Sequence, residues 1–577
     1  MNILRKYHDI LVNNLKEIYG KSLNPNISLE FPKDPSMGDI STNAVMILTK
    51  ELSLEKDKLI KDVSHIFNKT GDFKTINVAG SGFINLIFKD NILQDLILEI
   101  LNKKEIFGHS DLGKGKKINI EYVSANPTGP LHVGHTRGAV FGDVLSNIME
   151  FVGFEVCREY YINDSGEQVN KLAHSTYIRY LQALGEKTKE IEDGFYPGEY
   201  LIELGKTLKN QHNDKFVNSP EGEWIDIFRE SSIEHIMNLI KKDLNSLGVH
   251  HDVFTSEKYL LDSNIVSNVY EELDKKELLY EGISTPPKAN NNEEWTERKH
   301  ILFKSKKFGD DEDRVVKKHD GSWTYFMPDI AYHKNKFDRG FSQMINILGA
   351  DHSGYISRMK SAIKAITQDK AIFDIKTCQL VKLTRNGQPV KMSKRSGDFI
   401  TLKEILDEVG SDAIRFMMVS RKGEAKLDFD FELFKKENND NPVFYVQYAH
   451  ARICSLLKNA SNNLKIDIDD NLLSNSDLSL LNNKIELEII KLIASYPKIV
   501  EQAASHKEPH RVPFYLRDLS SAFHQYWNLK INDERVKIID ENDIESTLSR
   551  LTLLRVVAIT ISSALSILGI KALNELR

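Results

Sequence analysis

Apolar residues recur at two different spacings along this chain. From Ile3 to Ile18 and from Ile40 to Leu52 they fall every three to four positions, which predicts helices with one buried face. Ile76 to Val78 and Gly82 to Phe88 are compact apolar runs of strand character. Residues 1–112 are therefore expected to form an α+β module. Asp111-Leu112-Gly113-Lys114-Gly115-Lys116, rich in glycine and lysine, reads as the linker that ends it.

A new pattern starts at Ile118. Ile118, Ile120 and Tyr122 alternate with Asn119 and Glu121, a strand signal. An Asn-Pro-Thr-Gly-Pro loop breaks it. Val140, Phe141, Val144, Leu145, Ile148, Met149 and Val152 then recur at helical spacing, Gly153 ends the helix, and Glu155 to Ile162 reads as the next strand. Strand, tight loop, helix and strand make a βαβ unit, which implies a parallel, doubly wound sheet. Residues 165–255 read as a polar, mostly helical insertion into that sheet. Met344 to Leu348 is a further strand, closed by Gly349-Ala350-Asp351-His352 and followed by a helix from Ile356. Asn386-Gly387, between Gln379–Thr384 and Pro389–Lys391, predicts a hairpin. Thr401-Leu402-Lys403-Glu404 fits a capping box. From 440 onward the segments read as amphipathic helices. The expected architecture is multidomain α/β plus all-α: the α+β module at 1–112, a Rossmann-type catalytic domain at 113–400, a helical connection at 401–440 and a helical bundle at 441–577.

Composition narrows the class without naming a function. A hydrophobic content of 41% and a charged content of 28% suit an ordinary globular protein. The net charge of −6 confines any nucleic-acid contact to local basic patches. Cys157, Cys378 and Cys454 lie far apart with no CxxC pair, which argues against disulfides and a zinc site and suits a reducing cytoplasm. The N-terminus carries charges throughout, unlike a signal peptide. Val556 to Ile570, broken by Thr560, Ser562, Ser563 and Ser566, reads as a buried helix rather than a membrane span.

Two short motifs carry the chemistry. His132-Val133-Gly134-His135 sits where the first strand passes into its helix. A helix start offers main-chain N–H groups and a positive dipole end to phosphate, and imidazoles donate further bonds. Gly134, Gly138 and Gly142 are spaced by four and leave one helix face bare, open to a flat ligand or a neighbouring backbone. From this motif alone, a tight helix packing with two structural histidines is an equal reading. Lys391-Met392-Ser393-Lys394-Arg395 comes after the hairpin, and its cations suit a loop closing over a polyphosphate. A solvated basic turn is the plain alternative. Further upstream, Tyr325 and Asp329 are four apart, on one face of a helix. A ring beside a carboxylate suits a cation, and a guanidinium above all; a helix-start aspartate with a packed tyrosine fits the same spacing.

Together the histidine and lysine motifs resemble the paired signatures of class I aminoacyl-tRNA synthetases, with Val133 for the usual isoleucine and Arg395 for a second serine. Over nearly its whole length the chain resembles bacterial-type arginyl-tRNA synthetases. The resemblance is carried by Ser124-Ala125-Asn126-Pro127-Thr128-Gly129-Pro130, Tyr161 to Gly166, Phe195 to Tyr200, Gly309 to Arg314, Gly349 to His352 and Val446 to Arg452, and in the first module by Gly38 to Asn43 and Gly80 to Asn85. It implies a ligase that activates L-arginine with ATP and passes it to the 3′-terminal adenosine of tRNA(Arg). His132, Gly134, His135, Gly349, Asp351, Lys391, Met392 and Lys394 would hold ATP, with His132, His135, Lys391 and Lys394 acting in catalysis. Ser124, Asn126, Glu257, Tyr325 and Asp329 would bind arginine. At 352 the chain carries histidine where eukaryotic relatives carry glutamine. The C-terminal helices would read the anticodon, and the first module would touch the tRNA elbow; Tyr445, Gln447, Tyr448, His450 and Arg452 suit stacking on and hydrogen-bonding bases there, with helix packing an equal reading of each. Mg2+ is expected with ATP and no protein-held metal or zinc; a cytoplasmic monomer without membrane contact is expected. The rivals are another class I enzyme, either a synthetase for a different amino acid, against which Tyr325 and Asp329 favour a cationic one, or a nucleotidylyltransferase; and a non-catalytic RNA-binding paralogue. The helical C-terminal region argues against a nucleotidylyltransferase, and the intact histidines and lysines against the paralogue.

Overall fold

The computed structural model describes residues 2–20, 26–32, 34, 37–186, 191–283, 298–390, 400–532 and 537–576. They fold as two compact units, one of Met1–Lys114, Phe151–Gly153 and Lys436–Arg577, the other of Gly115–Glu150 and Phe154–Lys435.

The second unit is built on five strands: β1 (Lys117–Glu121), β2 (Glu155–Ile162), β3 (Val253–Ser256), β4 (Gln343–Gly349) and β5 (Ile372–Cys378). Their order is β5-β4-β1-β2-β3, and every neighbouring pair is parallel. The chain builds outward from β1 to β3, then crosses back to place β4 on the other side of β1. That reversal opens a crevice beyond the carboxyl ends of β1 and β4, where doubly wound sheets bind ligands. Four helices matter for the site: α1 (Val133–Phe151), α2 (Phe326–Asp338), α3 (Ile356–Thr367) and α4 (Leu402–Met418). Because helices cover both faces, the polar half of the β1 alternation is not exposed. Asn119 is buried completely and Glu121 almost so.

The insertion contains helices Glu167–Leu184, Ile202–His212 and Glu221–Leu247, pinned by Tyr177 stacked on Trp224 at 4.0 Å. It returns to the sheet at Val253, just before the expected bound of 255, because β3 pairs with β2 there. The hairpin forms between Val381–Arg385 and Gln388–Pro389. Asn386 and Gly387 both take left-handed φ (52° and 75°), as a two-residue hairpin turn requires. Thr401 and Glu404 make the reciprocal capping box of α4. The 401–440 stretch is not wholly helical: Leu427–Asp430 adds a strand parallel to Val381–Arg385. Its buried Leu427 and Phe429 alternate with aspartates over a run too short to read as a strand beforehand.

The bare face of α1 proves partly filled. A Cβ on Gly142 would lie 2.2 Å from the Tyr122 ring, and one on Gly134 would lie 2.8 Å from the His132 ring; at Gly138 there is nothing within 4 Å. Gly142→Ala is therefore expected to lower stability by about 1–3 kcal/mol through overpacking. Gly138→Ala should be neutral or stabilising, since alanine favours helix over glycine by about 1 kcal/mol. Thermal unfolding followed by circular dichroism separates the two; equal shifts in midpoint would refute this packing.

The first unit pairs an antiparallel sheet, in the order Leu29–Glu30, Ile40–Thr42, Phe83–Phe88 and Phe73–Ala79, with helices that include Ile3–Tyr19, Ala44–Leu52, Lys56–Thr70 and Asp90–Lys103. The stretch read as one helix from Ile40 is a strand to Thr42, and the helix begins at Ala44. Helices Pro442–Leu464, Lys484–His506, Arg511–Asn532 and Ile544–Ile567 form the C-terminal bundle. It packs on the first module through Asp39–Lys491 (2.6 Å) and the Asn2 amide on Glu501 (2.8 Å). The last helix is longer than the apolar stretch suggested. By length and composition it passes the test for a membrane span, yet most of its surface is buried inside this unit.

Candidate active site

Each half of the crevice is shaped by the turn at the end of a strand. After β1 the backbone turns sharply: Val123 and Ser124 adopt φ of 69° and 38°, and Ser124 N–H donates to Tyr122 O at 3.0 Å. A three-residue turn centred on a β-branched residue at positive φ is strained, and such strain persists where the surroundings impose it. Here Ser124 Oγ accepts from Tyr161 N–H (3.0 Å) and donates to Glu121 (3.1 Å). The turn sends Asn126 outward, where its amide donates to Gln168 (2.9 Å) and accepts from Asn163 (3.2 Å). Tyr200, from the insertion, donates to Thr128 O at 2.8 Å and braces the same loop.

The histidine pair comes next. The rings of His132 and His135 lie 4.0 Å apart. His132 Nδ1 accepts from Gly134 N–H at 3.1 Å, and His135 Nδ1 accepts from His132 N–H at 3.4 Å. A nitrogen that accepts carries no proton, so each neutral imidazole holds its proton on Nε2. Burial, aided by His132, drives the His135 pKa down to about 3. His135 is thus a neutral donor at physiological pH. Three of the main-chain donors expected to be unpaired at this helix start are engaged. Val133 N–H bonds Ile400 O (3.3 Å), Gly134 N–H bonds His132, and His135 N–H bonds His132 O (2.9 Å). The motif brings imidazole Nε2–H groups, rather than these three backbone amides, as its donors. Glycine is required at 134 because the His132 ring folds back over it.

Ile400 also marks the end of the lysine segment. Lys391, Met392 and Lys394 lie outside the described residues, but both flanks are fixed. Val390 N–H bonds Leu383 O across the hairpin, and beyond the segment Leu402 N–H bonds Leu131 O at 2.8 Å. Thr401 forms a bridge with His132. Residues 400–402, just beyond the segment, therefore lie directly on the histidine turn. Across the crevice, Gly349 ends β4 and is exposed, and Asp351 is exposed in the short 3-10 turn Ala350–Tyr355 beyond it.

Behind the crevice lies an acidic cluster. Glu121 and Glu159, opposite each other on β1 and β2, have built-in counter-cations: Lys336 reaches Glu121 at 2.6 Å, and Arg339 reaches Glu159 at 2.6 Å. Asp329 and Glu257 make no ion pair among the described residues. Burial raises both carboxyls, Asp329 to about 7 against the pull of a Tyr355 hydrogen bond, with the charges of Glu121 and Glu257 adding to it. The Tyr355 hydroxyl donates to Asp329 Oδ2. Tyr325, at the start of α2, is 63% exposed, and its hydroxyl accepts from Arg358 Nη1. The Arg358 guanidinium lies 5.8 Å from the ring centres of both Tyr325 and Tyr355. His333 fixes the turn that carries Asp329, donating through Nδ1 to its carbonyl (2.8 Å) while Nε2 faces Asn346 (3.0 Å). Glu121, Tyr355 and Arg358 were not among the sequence candidates. A charge inside a strand of a sheet covered on both faces was the available clue to Glu121; Tyr355 and Arg358 gave none.

The basic and aromatic group in the C-terminal bundle divides by helix face. Gln447 and His450 are buried and face the C-terminal tail, toward Lys571 O (3.4 Å) and Leu573 O (2.9 Å). That corrects the expectation that they contact RNA. Tyr445, Tyr448 and Arg452 share the other face. Arg452 sits over the rings of Tyr448 (4.5 Å) and Trp527 (4.7 Å), and Tyr445 packs on His524 at 4.5 Å.

The chain resembles known proteins along its whole length. Residues 5–88 match the arginyl tRNA synthetase N-terminal domain, 96–430 the class I tRNA synthetase (R) catalytic domain, and 446–576 the DALR anticodon binding domain. The arginine–tRNA ligase of Parvibaculum lavamentivorans is 47% identical over 583 residues, covering all of both chains. That of Bartonella henselae is 45% identical over 585 residues, again at full coverage of both. The fold matches the Thermus thermophilus arginyl-tRNA synthetase with a TM-score of 0.74 and 19% identity over the whole of each chain.

Proposed function

The chain belongs to the arginyl-tRNA synthetases, and from that premise we propose how its residues divide the work of an arginine–tRNA ligase. The enzyme activates L-arginine with ATP and transfers it to the 3′-terminal adenosine of tRNA(Arg), releasing AMP and diphosphate. One observation carries the substrate assignment: two carboxyls behind the crevice, Asp329 and Glu257, have no ion-pair partner among the described residues, and burial raises both. A guanidinium or ammonium would supply it, and a guanidinium, with donors only and in a planar fork, uses paired carboxylates best. Asp329 and Glu257 hold the charged end, the Tyr325 ring lies against it, and Ser124 and Asn126 set the loop over the reacting end.

Arginine's carboxylate attacks the α-phosphate of ATP in line, and the bond to the β-phosphate oxygen breaks to give arginyl-adenylate and pyrophosphate. His132 and His135 donate Nε2–H bonds to the phosphates, and Lys391 and Lys394 offset the charge that builds on the leaving pyrophosphate. The gain comes from position and charge rather than from a covalent intermediate on the protein. Gly349 gives the nucleotide close approach at the end of β4, beside Asp351, and Met392 joins them in holding it. Mg2+ enters on the ATP phosphates, a setting that suits an ion reluctant to shed its waters. In the second step a terminal ribose hydroxyl of the tRNA, the 2′-OH by family analogy, takes the arginyl group. The N-terminal module contacts the tRNA elbow, and Tyr445, Tyr448 and Arg452 form the RNA-facing side of the bundle. The enzyme acts as a cytoplasmic monomer, with tRNA present for the first step. Charging of purified tRNA(Arg) with radiolabelled arginine tests the assignment; arginine left unattached to the 3′ end after full incubation with ATP would refute it.

The buried acid makes arginine binding depend on pH. An arginine cation binds the ionised form of Asp329, whose carboxyl in the unliganded site titrates at about 7. Below that pH binding must first expel a proton, so affinity is full above 7 and falls as pH drops through it, by about tenfold per unit. Arginine dissociation constants measured between pH 6 and 8 check this. Affinity that is flat across the range, or that strengthens at low pH, would exclude Asp329 as the principal counter-ion.

A further inference from the structure

Arg137, one turn into α1 beyond His135, is almost completely buried. Among the described residues no carboxylate pairs with it. Its Nη1 donates to Gln379 O (3.0 Å) and Ala425 O (2.7 Å), and Nη2 donates to Lys422 O (2.8 Å). Burying a guanidinium is costly unless its donors are used; here Nη1 and Nη2 go to main-chain carbonyls, while the buried Nε has no hydrogen-bond partner among the described residues. The location of those carbonyls gives the arrangement its meaning. Gln379 lies between β5 and the hairpin strand Val381–Arg385, while Lys422 and Ala425 lead into Leu427–Asp430, the strand parallel to it. Arg137 thus grips both chain segments that enter the small sheet carrying the lysine segment. The exit of that segment is held by the same region, through Val133 N–H on Ile400 O and Leu402 N–H on Leu131 O. Entry and exit are both fastened to the turn and helix that carry His132 and His135.

We propose that Arg137 is a positioning residue, which sets where the lysine segment meets the phosphates relative to the two histidines. The inference rests on the reading that this segment acts on ATP. A planar guanidinium spans carbonyls from two segments in a fixed fork; an ammonium offers its three donors from a single atom and cannot reproduce that spacing. Loosening one anchor would leave arginine binding intact and misplace the lysines, and a misplacement near 1 Å costs on the order of 100-fold in rate.

The test measures single-turnover adenylate formation with full-length enzyme, arginine, ATP and tRNA, because a single-turnover rate constant does not depend on the fraction of folded enzyme. Arg137→Lys retains the charge and the stem; Arg137→Gln retains two donors without charge. Both should slow the step by on the order of 100-fold while the arginine dissociation constant changes less than about threefold. Lys394→Ala and the double variant Arg137→Lys/Lys394→Ala complete a cycle. If Arg137 works through the lysines, the double variant is no slower than Lys394→Ala alone. A merely structural role would multiply the two losses, and wild-type rates in both Arg137 variants would also overturn the proposal. If Lys394→Ala itself forms adenylate at the wild-type rate, the underlying reading of the lysine segment fails instead.

Discussion

Asp329→Ala should reduce kcat/KM for arginine by on the order of 1,000-fold, because it removes the partner of a desolvated charge, a loss of about 4 kcal/mol. The effect is large because only Glu257 is then left to hold the cation, the other acids nearby being already committed. Glu121 is paired with Lys336 and Glu159 with Arg339, so neither is free to replace Asp329 without exposing a buried cation. The KM for ATP should change by less than about threefold, since the carboxyl sits behind the crevice and away from the histidine turn. Asp329→Asn preserves shape and should lose nearly as much, and with it the dependence of arginine binding on pH near 7. Steady-state pyrophosphate exchange with arginine and ATP varied separately provides both constants. Equal losses for the two substrates would contradict the assignment.

Lys394→Ala carries the second large effect, in the other direction of the division. Adenylate formation should slow by about 100- to 1,000-fold, as happens when one preorganised donor to developing charge is removed. The arginine dissociation constant should remain within about threefold of wild type, because ground-state arginine does not touch the pyrophosphate. Quenched-flow measurement of labelled adenylate together with equilibrium arginine binding separates the two quantities. A weaker arginine affinity of the same size as the rate loss would mean that the segment shapes the amino-acid pocket rather than serving the leaving group.

The features legible in the chain beforehand were mostly those contained within one element. The spacing of Val140, Val144 and Ile148 located α1; Glu155 and Ile162 bounded β2; Asn386-Gly387 located the hairpin; Thr401 and Glu404 announced the start of α4. Each is a local signal, satisfied by residues within a few positions of one another. Signals that depend on a partner from elsewhere were out of reach. Glu121 looked like the polar side of an alternating strand, yet Lys336, from a helix far along the chain, draws it inward. The amides at the start of α1 looked available to phosphate, yet Ile400 takes one of them. Gln447 and His450 looked like RNA contacts beside Tyr448, but the C-terminal tail returns to cover their face of the helix. Leu427–Asp430 is a strand only because Val381–Arg385 is there to pair with it. The candidate site divides along the same line: Tyr325, which caps α2, and Asp329 within it stand one turn apart, whereas Tyr355 and Arg358, which touch them, come from α3 and its approach.

The central claim is that the cation-poor acids behind the crevice choose arginine for a reaction driven at the histidine and lysine motifs. ATP–pyrophosphate exchange with each of the twenty amino acids, with and without tRNA(Arg), tests it most directly. Exchange should occur with arginine alone and should depend on tRNA(Arg). Exchange with lysine but not arginine would show that the acids select an ammonium, and no exchange under any condition would contradict the account altogether.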